Sequence, residues 1–320
     1  MPSNYNAYLI ANNLDVRVEC PFEVIPGLHL RKPTAEELDR LRSLVAECCK
    51  SDMGWIAPYE IKWSRKDTEE PSYTFESLKD PDDWKYWLLE EEGGGNKAHE
   101  FSRIAQIVNP VIDLGIRLIY WKNNEQTTMG HAPISHHIGK RHWGFEGRHD
   151  GPIVDIIRET ELNLIRALHN QLNAITDRHS FISSSLDTFS EVCKLSMYAN
   201  LRIVGIFSVI ESLITHAPRL TETLDSISHQ ISGKIILLNK RFEDSIPRPE
   251  AFGDVSDQKL WKKLYAYRSK VAHGQEPGFT GDLALLKDRP TVHNYLFEEC
   301  QALLRFSIME PQLVADLREC

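Results

Sequence analysis

Apolar positions follow two different rhythms along this chain. Up to about residue 120 they come in short runs broken by turn residues. Segments 16–24 and 28–31 read as strands flanking the turn Pro26-Gly27. Thr34 then opens a helix, with Glu37 three residues on as its capping-box partner. Leu38, Leu41, Val45 and Cys48 form the apolar stripe of that helix. Segment 84–89 is an aromatic-rich strand candidate. After Gly93-Gly94-Gly95 a second helix places Phe101, Ile104, Ala105 and Val108 on one face. Residues 111–121 fit either another strand or a continuing helix.

From residue 153 the rhythm becomes helical. The spacing predicts helices over 153–176, 186–216, 221–240, 256–273 and 291–308, with a short tail helix after Pro311. Segments 247–249 and 274–290 read as loops. Between the two regimes, 122–152 is irregular and rich in histidine and glycine. The expected organisation is an N-terminal α+β domain over 1–121, with a sensing or regulatory role. A connection over 122–152 leads to an all-α helical bundle over 153–320.

Composition narrows the class. The chain is 42% hydrophobic and 26% charged, as in ordinary globular proteins, and 320 residues suffice for two cores. No window approaches the 18 or so uninterrupted apolar residues of a membrane-spanning helix. The first residues lack the basic and apolar regions of a secretory signal, so a cytoplasmic location is expected. The six cysteines include no C-x-x-C pair and read as reduced thiols. The net charge is −9, and acidic groups outnumber basic ones in both halves. Strong non-specific binding to duplex nucleic acid is therefore not expected, and any nucleic-acid contact must come from a local patch.

One such place lies near the C-terminal end. In the predicted helix 256–273 the stripe Trp261, Leu264, Tyr265, Val271 and Ala272 also contains Arg268. A guanidinium on an apolar stripe needs a partner. The candidate is Glu211, inside the segment 201–214, which is apolar nearly all round and therefore expected at the centre of the bundle. Such a pair is either a structural ion pair or a fixed arginine fork with donors left for a ligand. His273 follows in the last turn, before Gly274, the expected left-handed residue after the helix. There it is either a favourable cation at the helix dipole or a proton donor near neutral pH. Arg268 and His273 are five residues apart and do not share a helix face, so they must meet at a helix end or across a symmetric dimer. Lys262, Lys263, Tyr265, Tyr267 and Lys270 interleave aromatics with positive charge. That pattern suits single-stranded nucleic acid, and it equally suits an amphipathic helix with a solvated basic face.

The string Leu264-Tyr265-Ala266-Tyr267-Arg268-Ser269-Lys270-Val271-Ala272-His273-Gly274 resembles the RX4–6H motif of HEPN domains, most nearly the ApeA-like branch found in prokaryotic defence proteins. Ile210-Glu211-Ser212-Leu213 resembles the acidic helix motif of that branch. The resemblance covers about residues 155–317. It implies a dimerising helical bundle, as a homodimer or a higher oligomer, that cuts RNA such as tRNA or other single-stranded loops without metal or cofactor. Arg268 would hold the scissile phosphate, His273 would move a proton, Glu211 would orient Arg268, and Ser269 would add a hydrogen bond. The products would be a 2′,3′-cyclic phosphate and a 5′-hydroxyl, in a setting of antiviral or abortive-infection defence. The alternative is a HEPN module that binds RNA or a protein partner without cutting, and a third reading is a purely structural scaffold.

Other motifs carry less. His131, His136, His137, His142 and His149 lack the spacing of a helical metal site, and no cysteine supplements them. Gly93-Gly94-Gly95 follows three glutamates and lacks the phosphate-loop lysine pattern, so a strand-to-helix turn is expected. Cys48-Cys49 has only Lys50 as a positive neighbour and is not expected to be a nucleophile.

Overall fold

The structure is a computed structural model. It describes residues 4–10, 14–50, 61–66, 72–77, 86–93, 96–110, 112, 114–123, 126–133, 155–196, 199–218, 226–242 and 246–320. Contacts divide the chain into two units, Met1–His169 and Asn170–Cys320.

The first unit is built on a six-stranded sheet: β1 (Asn4–Ile10), β3 (Phe22–Ile25), β4 (Leu28–Arg31), β7 (Leu88–Glu92), β8 (Leu114–Asn123) and β9 (Gln126–Pro133). The strand order is β3-β4-β7-β1-β8-β9, and every neighbouring pair is antiparallel. β2 (Leu14–Arg17) pairs in parallel with β10 (Asp155–Arg158), and β5 (Ile61–Lys66) pairs with β6 (Ser72–Ser77). The alternation of β1 sends Tyr5, Ala7 and Leu9 into a core with Leu41 and Leu44 of helix α1 (Ala35–Lys50), Leu88, Leu118 and Tyr120. Tyr8 and Ile10, on the other face, are buried as well.

The capping box forms reciprocally. The Thr34 backbone donates to Glu37 at 2.8 Å, and the Glu37 backbone donates to the Thr34 hydroxyl at 3.3 Å. Glu37 also takes a bidentate bond from Arg31 at 2.7 and 2.8 Å and a bond from the Tyr120 hydroxyl, which ties α1 to the sheet. In helix α2 (Lys97–Val108) Phe101, Ile104 and Ala105 are buried, on the face expected from their spacing.

Several boundaries move. The expected strand 16–24 is two strands around residues 18–21, where Cys20-Pro21 breaks the ladder. Of the segment 111–121, residues 114–121 are strand β8 and residues 111 and 113 lie outside the described residues, while the expected connection contains β9, hydrogen-bonded to β8. The expected helix 153–176 begins as β10 and continues as α3 (Glu159–Asn173). Most of α3 belongs to the first unit: Asn109 donates to Glu161 at 2.9 Å, and His169 meets Glu100 at 3.2 Å. The division thus falls after His169 and not near residue 153. Of the expected strand 84–89, residues 84 and 85 lie outside the described residues and the strand β7 begins at residue 88; the segment 134–154 also lies outside the described residues.

The second unit is helical: α4 (Ser180–Cys193), α5 (Asn200–Ile214), α6 (Ile227–Asn239), α7 (Asp257–Ala272), α8 (Arg289–Met309) and α9 (Pro311–Glu319). Short 3-10 turns lie at 177–179, 250–252 and 281–286, the last inside the expected loop 274–290. The apolar segment 201–214 is central as expected, since α5 packs against α4, α6, α7, α8 and α9. The expected helix 186–216 is instead the hairpin α4–α5. The Ser185 and Ser212 hydroxyls meet at 2.7 Å, and a Cβ on Gly205 would stand 2.5 Å from the Val192 side chain. Glycine there lets the two backbones close up. Among the described residues no helix is long and apolar enough to cross a membrane.

Candidate functional site

Packing of α5 on α7 creates the site. Phe207 on α5 meets the rings of Trp261 and Tyr265 on α7 edge-on, at centroid distances of 6.4 and 5.8 Å. One turn further along both helices Glu211 faces Arg268. The contacts advance together, so the two helices run in the same direction here.

Arg268 Nη2 lies 3.2 Å from Glu211 Oε1 and 3.3 Å from Oε2. Each side chain keeps about a fifth of its surface exposed, 22% for Arg268 and 23% for Glu211. The pair is therefore at the rim of the apolar stripe and not inside it. Burial pushes the Glu211 carboxyl above its ordinary value, and the charge of Arg268 offsets that only in part. The guanidinium carbon also sits 5.6 Å from the centre of the Tyr265 ring. Burial, and then the Glu211 charge, raise the Tyr265 hydroxyl. Arg268 Nε is sealed from solvent and finds no hydrogen-bond partner among the described residues. The fork is thus held by one edge and keeps unused donors.

His273 caps the C-terminal end of α7, with φ −87° and ψ 14°. Gly274 follows at φ +73°. The Gln275 backbone donates to Lys270 at 3.0 Å and Gly274 donates to Val271 at 3.0 Å. These two bonds make the Schellman ending that Gly274 promised. The histidine therefore leaves the helix where its carbonyls end, with its side chain exposed. No group among the described residues hydrogen-bonds its ring.

The remaining expected residues separate. Lys262 and Lys270 are exposed, whereas Lys263 is half-buried and lies 3.4 Å from Asp282. Tyr265 is half-buried against Phe207. Tyr267 leaves the expected stacking set: it is 2% exposed and packs on Phe279, with ring centres 5.4 Å apart. The true apolar stripe is Leu260, Trp261, Leu264, Tyr267 and Val271, so Ala272 faces solvent. Ser269 gives only its carbonyl, which accepts from the His273 backbone at 3.1 Å. Its hydroxyl makes no hydrogen bond among the described residues.

Of the histidine group, His131 is described. It lies exposed on β9, and its ring is 3.2 Å from Arg40. His136, His137, His142 and His149 lie outside the described residues, as do Gly94 and Gly95. The backbone places Cys48 and Cys49 in α1. Among the described residues no group of three or more His, Cys, Asp or Glu side chains is arranged to hold a metal.

Two polar clusters escaped the sequence reading. Glu299 on α8 is 1% exposed and accepts from Asn239 at 3.0 Å. His293, also on α8, is 3% exposed and within electrostatic reach of Arg202 and Arg289. The signal for the second was present as Arg289 and His293 at i, i+4, one turn apart on a helix face. Comparison of the chain with protein-family models, with curated proteins and with solved structures gives no match.

Proposed function

We propose that this protein is an endoribonuclease of the HEPN type, acting in a prokaryotic cytoplasm as a homodimer in antiviral or abortive-infection defence. The observation that carries the reading is the Arg268–Glu211 pair at 3.2 Å, on the helix whose C-cap is His273. Glu211 acts as a positioning residue that holds one edge of the Arg268 fork. The free donors of Arg268 bind the scissile phosphate and the charge that grows on it in the transition state. His273 moves the proton. The ribose 2′-hydroxyl gives up its proton as its oxygen bonds to phosphorus, the bond to the 5′-oxygen breaks, and the leaving oxygen takes up a proton. The products are a 2′,3′-cyclic phosphate and a 5′-hydroxyl. Lys262 and Lys270 remain exposed to attract the RNA backbone, and Tyr265 flanks the arginine. The first unit serves recognition or restraint.

The test is incubation of the purified protein with total RNA in the presence of a chelator. Wild type is expected to leave cyclic-phosphate ends. Arg268→Ala and His273→Ala, each folded by circular dichroism, are expected to lose ~10²-fold or more of that cleavage. Undiminished cutting by both variants rejects the assignment. One observation favours a second reading, a HEPN module that binds RNA or a protein partner without cutting: no group among the described residues orients the His273 ring. That reading predicts RNA retention in a gel-shift assay with no new ends.

A further inference from the structure

We propose that the second unit carries an oxyanion site between the starts of α5 and α8, formed by Arg202, Arg289 and His293, which takes the terminal phosphate of a small ligand or of an RNA 5′ end. The inference is independent of the nuclease reading, because none of these side chains belongs to the Arg268 site.

The cluster holds two permanent cations and, among the described residues, no anion paired with them. Arg202 donates to the Leu195 carbonyl at 2.8 Å, and its guanidinium lies over the Phe297 ring at 4.9 Å. Arg289 donates to the Asn200 side chain and to the Tyr267 hydroxyl. Neither arginine forms an ion pair among the described residues. The nearest acid in sequence, Asp288, is occupied in capping α8, where it accepts from the Thr291 backbone at 2.8 Å. Partly buried cations without a counter-charge are costly, and a bound anion removes that cost.

His293 supplies the second, independent observation. Its side chain is 3% exposed, yet neither ring nitrogen has a hydrogen-bond partner among the described residues. Arg289 Nε is sealed from solvent and unpartnered as well. Buried polar atoms are nearly always satisfied, and the Arg289 Nε–H and the one N–H of a neutral imidazole are two unsatisfied donors that point to a missing acceptor. Burial and the two arginine charges hold the imidazole neutral, with its pKa lowered to about 4. At neutral pH it therefore offers one N–H donor without adding a third positive charge.

The geometry of the donors selects the ligand. A planar carboxylate matches one guanidinium edge. Two guanidinium groups and an imidazole call for an acceptor with oxygens in several directions, which a tetrahedral phosphate provides. Only a terminal phosphate can reach a ring as buried as His293, because a phosphate within a chain carries a sugar on both sides.

The test is a titration of the full-length protein with inorganic phosphate, against sodium chloride at matched ionic strength. It is followed by calorimetry and by the imidazole resonances of labelled histidine. Saturable binding of one phosphate per chain is expected, with the His293 resonances moving and their titration shifted to higher pH. Arg202→Gln and Arg289→Gln should each weaken binding at least tenfold, and Arg202→Lys and Arg289→Lys control for loss of fold by keeping the charge. A response to phosphate no larger than to chloride overturns the site, as does saturable binding unchanged in both glutamine variants. Two competitor pairs identify the source: 5′-AMP against adenosine, and a 5′-phosphorylated oligoribonucleotide against its 5′-hydroxyl form. Displacement by a phosphorylated member alone supports the assignment. Equal displacement by the 5′-hydroxyl oligonucleotide overturns the terminal-phosphate specificity.

Discussion

Glu299 is an acid placed where a charge is expensive. It is 1% exposed, and the Tyr295 and Asn239 side chains bond to it, while Oε2 has no partner among the described residues. Burial pushes its pKa up to about 7. The folded state therefore holds this proton more tightly than the unfolded chain, where an ordinary glutamate titrates near pH 4.3. The stability it contributes is full below that value, falls as the pH rises, and is gone above about pH 7. Urea denaturation from pH 4.5 to 8 should show that decline in wild type. Glu299→Gln should remove it and stabilise the protein at pH 8 by on the order of 1–3 kcal/mol. Parallel pH profiles for the two proteins would mean that Glu299 titrates alike in the folded and unfolded chains, which contradicts the raised value. The sequence made some residues of this kind legible and hid others. Arg268 stood out because it broke an apolar stripe, and Glu211 because it was the acid inside the most apolar segment. Glu299 lies in a run, Glu298-Glu299-Cys300, where nothing marks which glutamate turns inward. Tyr267 was misread for a related reason: a tyrosine fits a stacking surface and a core equally well, and only the rotation of α7 decides between them.

At the scale of elements, the end of α7 sets the position of His273. Gly274 adopts φ +73°, which other residues reach only with strain. A Cβ placed there meets nothing within 4 Å, so the cost of a substitution is backbone strain alone. Gly274→Ala should lower stability by about 1 kcal/mol, and Gly274→Asn by less. If His273 moves the proton, the alanine variant should also lose more cleavage than its folded fraction explains, since the Schellman bonds aim that residue. Denaturation and cleavage measured on the same preparations check both parts, and an alanine variant with unaltered stability contradicts the first. This ending could be read in advance, because glycine after a helix has a local cause. The break between α4 and α5 could not. Apolar periodicity runs on through residues 186–216, and the turn is enforced by packing, where Gly205 admits Val192 of the neighbouring helix. The strand β10 was hidden for the same kind of reason. Its four residues, Asp155–Arg158, run straight into a helical pattern, and only pairing with the distant β2 makes them a strand.

At the scale of the whole molecule, the nuclease reading turns on how many chains would make one active site. Five residues of helix turn His273 well away from Arg268, and the exposed ring at the end of α7 is free to face a second copy. If each site draws Arg268 from one protomer and His273 from its partner, two inactive variants contain everything one site needs. Arg268→Ala and His273→Ala, mixed in equal amounts and allowed to exchange subunits, would form mixed dimers as about half of the population. Each mixed dimer holds one intact and one doubly damaged site, so cleavage should return to about a quarter of wild type. The nuclease reading with shared sites predicts this regain, together with a specific activity that falls as the protein is diluted below its dimer dissociation constant. A site complete within one chain predicts no regain, because each protomer then carries its own lesion whatever its partner. A mass tag on one variant, read by native mass spectrometry of the mixture, shows that exchange took place, so a null result places both residues of each site on one chain.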